Sequence, residues 1–255
     1  ATQQDSGLWS LDVSGQHIPT QGFPNQRMDM VRNDAVLGGL NWEKGFDWGQ
    51  LDTKVYYHNT RHTMDTLPSR DSAPMPMDSI GQDIGYRVRA HVPLAEQHTL
   101  HVGNEYFLQL LNDWWPGTLQ DFLSINHGQR NRVGTFAEWQ ADWDKEWTSM
   151  FGARNDSLWT DTGLVHGYNN DAINSFWADQ FNAQPHGKSF INFDLTAMTS
   201  YTPNANSRYE LGFARKQRAP NLYELYAWTG GAEKSMINWF GDGNGYRGNL
   251  NLKSE

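Results

Sequence analysis

Apolar and polar residues alternate one by one over long stretches of this chain. The clearest run puts Ile84, Tyr86, Val88, Ala90, Val92 and Leu94 on one register, with Gly85, Arg87, Arg89 and His91 on the other. A second sets Leu100, Val102, Asn104, Tyr106, Leu108 and Leu110 against His101, Gly103, Glu105 and Gln109. A third sets Val133, Thr135, Ala137 and Trp139 against Arg132, Glu138 and Gln140. A fourth sets Ile191, Phe193, Leu195, Ala197 and Tyr201 against Asn192, Asp194, Thr196 and Ser200. Successive side chains of a strand point to opposite faces, so each run predicts a strand with one apolar and one polar face. Weaker alternation predicts strands near 7–18, 34–43, 49–64, 147–156 and 207–217, with 246–255 as a possible tenth. Helix is expected only from Asp171 to Phe181, inside a loop.

The connections sort into two kinds. Short ones lie around 44–48, 95–98, 142–146 and 202–206; long ones span roughly 19–33, 65–82, 112–131, 157–188 and 218–245. Long and short alternate strictly. In an antiparallel meander this collects every tight turn at one end and every long loop at the other. The expectation is an all-β fold: nine or ten strands of a larger antiparallel, up-and-down transmembrane β-barrel, apolar outside and polar inside. Trp139, Trp143, Trp147, Tyr201, Tyr209 and Tyr57 fall near predicted strand ends on the apolar register, where such rings anchor at headgroup depth. A Trp-rich soluble carbohydrate-binding β protein is the alternative.

Composition narrows the classes. Hydrophobic residues are only 38% of 255, and no run approaches the ~18 apolar residues of a spanning helix, which excludes a helical membrane protein. Aromatics at 13%, with 12 Trp, argue against disorder. Zero Cys excludes disulfides and thiolate metal sites within this chain. A net charge of −9 speaks against nucleic acid. No Gly-x-Ser-x-Gly, phosphate-binding Gly-Lys-Ser/Thr or His-Glu-x-x-His motif occurs, so no enzyme is expected. Gly241 to Gly245 lacks the acidic spacing of an EF-hand and reads as a flexible loop. The chain opens on Ala1, carries no signal peptide and stops inside a patterned segment, which suggests a piece of something longer. Such a piece has two raw sheet edges and is expected to aggregate in isolation.

Two segments are more specific. Arg218-Ala219-Pro220, followed by Glu224-Leu225-Tyr226, resembles a signature of TonB-dependent outer-membrane receptors. Gly248-Asn249-Leu250-Asn251-Leu252-Lys253-Ser254-Glu255 resembles the Gly-Asn-x-x-Leu-Lys-Pro-Glu signature that follows it in the same family, with Ser254 in place of the usual Pro. The chain is further similar to the copper-receptor branch through Met28-Asp29-Met30, Arg61-His62-Thr63-Met64-Asp65, Pro74-Met75-Pro76-Met77-Asp78, Gly152 to Asp156 and Asn238 to Tyr246. The resemblance covers nearly the whole chain. It implies that residues 1–255 are a central part of a 22-stranded barrel of the bacterial outer membrane. The plug, the TonB box and the terminal strands would be absent. It also implies copper as transported ligand and a TonB energy-transducing complex, acting through the plug, as partner, with outer-membrane lipid and lipopolysaccharide around the wall.

The methionines supply chemistry of their own. Six of eight lie in or beside the predicted long loops: Met28, Met30, Met64, Met75, Met77 and Met236. At the water-facing end they have no evident packing logic. Thioethers favour Cu(I), and imidazole also suits copper. Met28/Met30, His62/Met64 and Met75/Met77 are i, i+2 pairs, whose side chains point the same way in extended chain. The resemblance implies that His62 and Met64 supply half of a copper site, with the other ligands from the plug. Met28, Met30, Met75 and Met77 would form weaker sites above it; adaptable loop packing is the competing account of these four. His91 and His101 are expected to face the lumen, hydrogen-bonded to a neighbour, while His166 and His186 lie in the longest loop and could touch substrate. The acid surplus would raise the local cation concentration, or merely be solvated or bridged to lipopolysaccharide. A receptor for a siderophore or another metal complex, and an outer-membrane lipase, remain open alternatives.

Overall fold

A computed structural model describes residues 7–24, 28–70, 74, 76–168, 172–229 and 246–255. Nine strands follow one another: β1 (Leu8–Ile18), β2 (Asp29–Phe46), β3 (Gly49–Asp65), β4 (Met77–Ala95), β5 (His98–Trp115), β6 (Phe122–Asp142), β7 (Trp147–Asp161), β8 (Lys188–Asn204) and β9 (Ser207–Arg215). Among the described residues there are two helices: α1 (Ala172–Asn182) lies between β7 and β8, and α2 (Leu222–Tyr226) follows β9. Each strand pairs antiparallel with the next, in the order β1 to β9. Among the described residues β1 and β9 remain the two edges, and the sheet is not closed.

Tight turns gather at one end. Phe46 pairs with Gly49, Ala95 with His98 and Asn204 with Ser207. Between β6 and β7, Asp144 Oδ1 accepts from the backbone N–H groups of Glu146 and Trp147, each at 2.8 Å. Gly49 sits at φ +144°, and a Cβ there would lie 2.1 Å from the His91 carbonyl oxygen, so this turn requires glycine. The opposite end carries the segments 19–28, 66–76 and 162–187, together with 116–121. That last loop is much shorter than the predicted 112–131, because β5 and β6 run on as strands beyond the alternating region.

The register makes the two faces explicit. Val55 pairs with Leu40 and Tyr86, and Tyr86 with Tyr106. Tyr106 continues the row to Val133, then Ser157 and Ile191. This face is uncovered: Val55 is 52%, Phe193 55% and Ile191 65% exposed. In water such a surface would drive association; in a bilayer it is the lipid-facing band. On the other face Asp52 meets Arg87 and Arg89, and Glu105 meets Arg132 and Arg154. Arg154 also holds Asp156 at 2.7 Å. Charges that close together are tolerated because they pair and face a polar interior. At the turn end, Trp147 stacks on Tyr201 at 4.4 Å, and Trp139 packs edge-on to Trp143. Tyr209 and the stacked Phe46–Trp48 pair continue the belt. Tyr57 departs from expectation. It keeps the outward register but lies in mid-strand, well above the belt.

The hydrophobic core occupies the loop-side rim. A spanning strand uses about 9–11 residues, and these strands reach 21, so their upper ends rise above the lipid band. There Trp115, Phe122 and Ile125 of β5 and β6 are buried against Leu222, Leu225, Tyr226 and Trp228. The segment 218–229 folds in over the polar face: Tyr226 Oη donates to the His186 carbonyl at 3.0 Å, and Trp228 Nε1 to the Leu123 carbonyl at 2.9 Å.

The sequence signatures describe this knob. Asn221 caps α2: its Oδ1 accepts from the Glu224 N–H at 2.9 Å, while Glu224 Oε2 accepts from the Asn221 N–H at 2.7 Å. Arg218 clamps both Glu224 and Glu255. Residues 246–255 are not a tenth strand. They lie along the knob, with the Gly248 N–H donating to the Ala227 carbonyl at 2.6 Å and the Asn249 N–H to that of Glu224 at 2.8 Å. A Cβ on Gly248 would meet the Leu225 carbonyl oxygen at 2.7 Å. That backbone is spent on the knob, leaving none for a sheet ladder. The predicted helix is α1, and the capping box of α2 was its unread sequence signal.

Two predictions follow from these faces and this rim. Val55 stands about 15 Å above the turns, from the ~3.3 Å rise per residue of a tilted strand. Val55→Arg should destabilise the protein in vesicles by about 2–4 kcal/mol, read by urea unfolding, because a cation then faces lipid near mid-depth. Asp113, above the lipid band, is fully buried, and Tyr223 Oη donates to its Oδ2 at 2.9 Å. Burial pushes its carboxyl up from 3.8 to about 7. The folded state therefore holds a proton that the unfolded chain has lost, and stability should fall as pH rises from about 4 to about 7, then level off. Asp113→Asn should flatten that slope in thermal unfolding measured against pH.

Candidate metal-binding rim

The lumenal face at the loop end brings together residues far apart in sequence. His62, on β3, pairs across the sheet with Asn33 on β2 and Ser79 on β4. One step further up the same face, Met64 pairs with Met30 on one side and Met77 on the other. Directly opposed residues sit about 4.5–5.5 Å apart at Cα. Three thioethers thus form one row across three strands, directly above an imidazole.

A β-bulge sets this row. The β2–β3 register slips between Met30 and Arg32, so Val31 is the extra residue. Without it, Met30 would fall on the face opposite Asn33. A backbone bridge fixes Met30 further: its N–H donates to the Gln21 carbonyl at 3.0 Å and its carbonyl accepts from Gln21 at 2.8 Å. Beside it Asp29 is buried, paired with Arg70, and accepts from the Phe23 N–H at 2.8 Å. The Arg70 guanidinium holds the Asp29 carboxyl down at about 2. This ion pair ties the loop 19–28 to the loop 66–76.

His62 is held as an oriented, neutral imidazole. Its Nδ1 lies 3.0 Å from Asn33 Oδ1, an acceptor, so Nδ1 carries the proton and Nε2 keeps its lone pair. Burial lowers its pKa, favouring the uncharged ring. Orientation by a hydrogen bond at the other nitrogen is how metal-binding histidines are commonly held. Asn33 was not legible as a site residue, since it lies twenty-nine positions from His62 and only pairing joins them.

The other expected residues fall as follows. Met28 is buried in the rim core next to the row but precedes β2, so it is not a strand partner of Met30. Met75, Met236 and the loop 241–245 lie outside the described residues. The expectation that these methionines lack packing logic is corrected: Met28, Met30 and Met64 are buried, and Met77 packs against them. They fill the rim core as adaptable apolar side chains. His186 is placed in the rim packing. It is buried, stacked on Phe181 at 4.3 Å, with its ring nitrogens on the Thr162 and Phe181 carbonyls. His166 braces Gln120 at 2.8 Å. His91 and His101 do face the lumen and contact each other. Among the described residues no three His, Asp or Glu cluster as a metal site; the row of thioethers is a different donor set.

The profile of the family described as "TonB dependent receptor-like, beta-barrel" matches residues 2–255. Among curated proteins, no sequence matches. Among solved structures the chain is similar to one titled "Copper transporter OprC", with a TM-score of 0.72 and 16% identity. That likeness covers 89% of this chain and 36% of that one, so this chain spans little more than a third of its length. With its meander, its sorted faces and a match along nearly its whole length, the chain belongs to the TonB-dependent receptor-like β-barrel family.

Proposed function

We propose that this chain supplies barrel wall and metal-capturing rim to a bacterial outer-membrane, TonB-dependent receptor for copper uptake. The observation that carries the reading is the row Met30–Met64–Met77 above a half-buried His62 whose Nε2 is free to ligate. Thioethers are neutral and soft, and together with imidazole they favour copper, Cu(I) in particular, over hard cations. The copper transporter among the structural relatives supports the same cargo.

In this reading residues 1–255 are the central part of a larger barrel, and a plug with its TonB box lies elsewhere in the protein. His62 and Met64 are the principal ligands from the wall. Met30 and Met77 flank them, and Met28 and Met75 extend the methionine surface of the rim. Capture is passive: the ion exchanges weakly held water for thioether and imidazole. Release then requires moving the plug's ligands away from the wall, work that a TonB complex supplies. The net charge of −9 favours cation approach. Lipid and lipopolysaccharide surround the outer face.

Copper titration of the receptor purified in detergent tests this. His62→Ala with Met64→Ala should weaken Cu(I) binding at the rim at least a hundredfold; unchanged affinity would remove the site. Asn33→Leu should weaken it about 10–100-fold, because His62 loses its orienting partner. Met30→Leu and Met77→Leu keep apolar volume, so a loss of affinity there separates ligation from packing. A siderophore or preformed metal complex as cargo would show as uptake indifferent to all five substitutions.

A further inference from the structure

Both long walls of the lumen end, on the turn side, in a feature that the rim does not use. His91 of β4 and His101 of β5 are direct cross-strand partners on the polar face. Each lies a few residues from the turn at Glu96 and Gln97. Their Nδ1 atoms are 2.6 Å apart, with ring centroids at 4.5 Å and planes at 84°. Among the described residues neither ring has another hydrogen-bond partner. On the same face Arg89 holds Asp52 at 3.1 Å, and Glu138 of β6 is the cross-strand partner of His101 on its other side.

We propose that His91 and His101 form a second metal site, a two-imidazole clamp for a monovalent d10 ion, Cu(I) or its surrogate Ag(I). Two nitrogens face one another with one proton between them, and that proton occupies the position an ion would take. An imidazole–metal bond is about 2.0 Å, so admitting an ion between the two nitrogens, now 2.6 Å apart, means opening the pair by about 1.4 Å. Both neutral rings then carry their proton on Nε2, and no net proton is lost. Two donors satisfy Cu(I), whereas divalent first-row ions seek about four. The site rests on this geometry alone. Its role, a relay station at the turn-side end of the wall that carries the methionine row, rests on the copper reading.

Anaerobic Cu(I) titration of the receptor purified in detergent decides it, against a competing chelator and with X-ray absorption of the bound ion. The wild type should bind one equivalent at the rim and one at the clamp. His91→Gln with His101→Gln should lose one equivalent and keep the rim's; an unchanged count overturns the proposal. His62→Ala with Met64→Ala should retain one equivalent, ligated by two nitrogens and no sulfur. Sulfur ligation, or no bound ion, in that protein also overturns it, without any substitution at the clamp. If His62→Ala/Met64→Ala instead keeps both equivalents, the rim reading fails, and the clamp is then decided by whether His91→Gln with His101→Gln removes one of them.

Discussion

Hydrogen bonding between neighbouring strands is the constraint on which this molecule depends. Inside hydrocarbon no water is available to a free N–H or carbonyl, and each orphan costs several kcal/mol. The eight antiparallel pairings from β1 to β9 meet that demand along the wall. Because side chains alternate about the ladder, satisfying the backbone also sorts the residues. Val55, Phe193 and Ile191 go to lipid; Asp52, Glu105 and Arg154 go to the lumen. Neither face forms a conventional core, since lipid solvates one and polar groups line the other.

The true core is therefore displaced to the loop-side rim, where strand ends leave the bilayer and meet water. Apolar burial works there in the ordinary way, with Leu222, Leu225, Tyr226 and Trp228 of the segment 218–229 packed in from outside the sheet. The two family signatures become intelligible as one object. Arg218, Asn221 and Glu224 hold the shape of a single turn of helix, while Leu222, Leu225 and Tyr226 fill the rim. Gly248 lets the second signature lie against the first. These residues build the rim that they close.

That rim also carries the methionine row. Met30, Met64 and Met77 pack the core and simultaneously present sulfur to the lumenal face. Methionine suits both tasks, since it is apolar enough to bury and soft enough to ligate. Packing and ligation are not rival accounts of these residues. Burial holds the thioethers in place, and the Asp29–Arg70 pair fixes the loops from which two of the three strands start and end.

What the sequence by itself determined was periodic and local. Alternation along 84–94, 100–110, 133–139 and 191–201 assigned strand and face correctly, because a period of two survives whatever the strand packs against. The sorting of turns and loops followed from a meander's geometry, and His62 and Met64 shared a face because i and i+2 must. Tertiary structure decided whatever depended on register. The bulge at Val31 turned Met30 toward Met64; pairing delivered Asn33 to His62 and His91 to His101. It also turned 246–255 from a strand into a strap, since its backbone groups found the knob first. Which residues stand opposite one another depends on hydrogen bonds between segments tens of residues apart, and no local pattern encodes that choice.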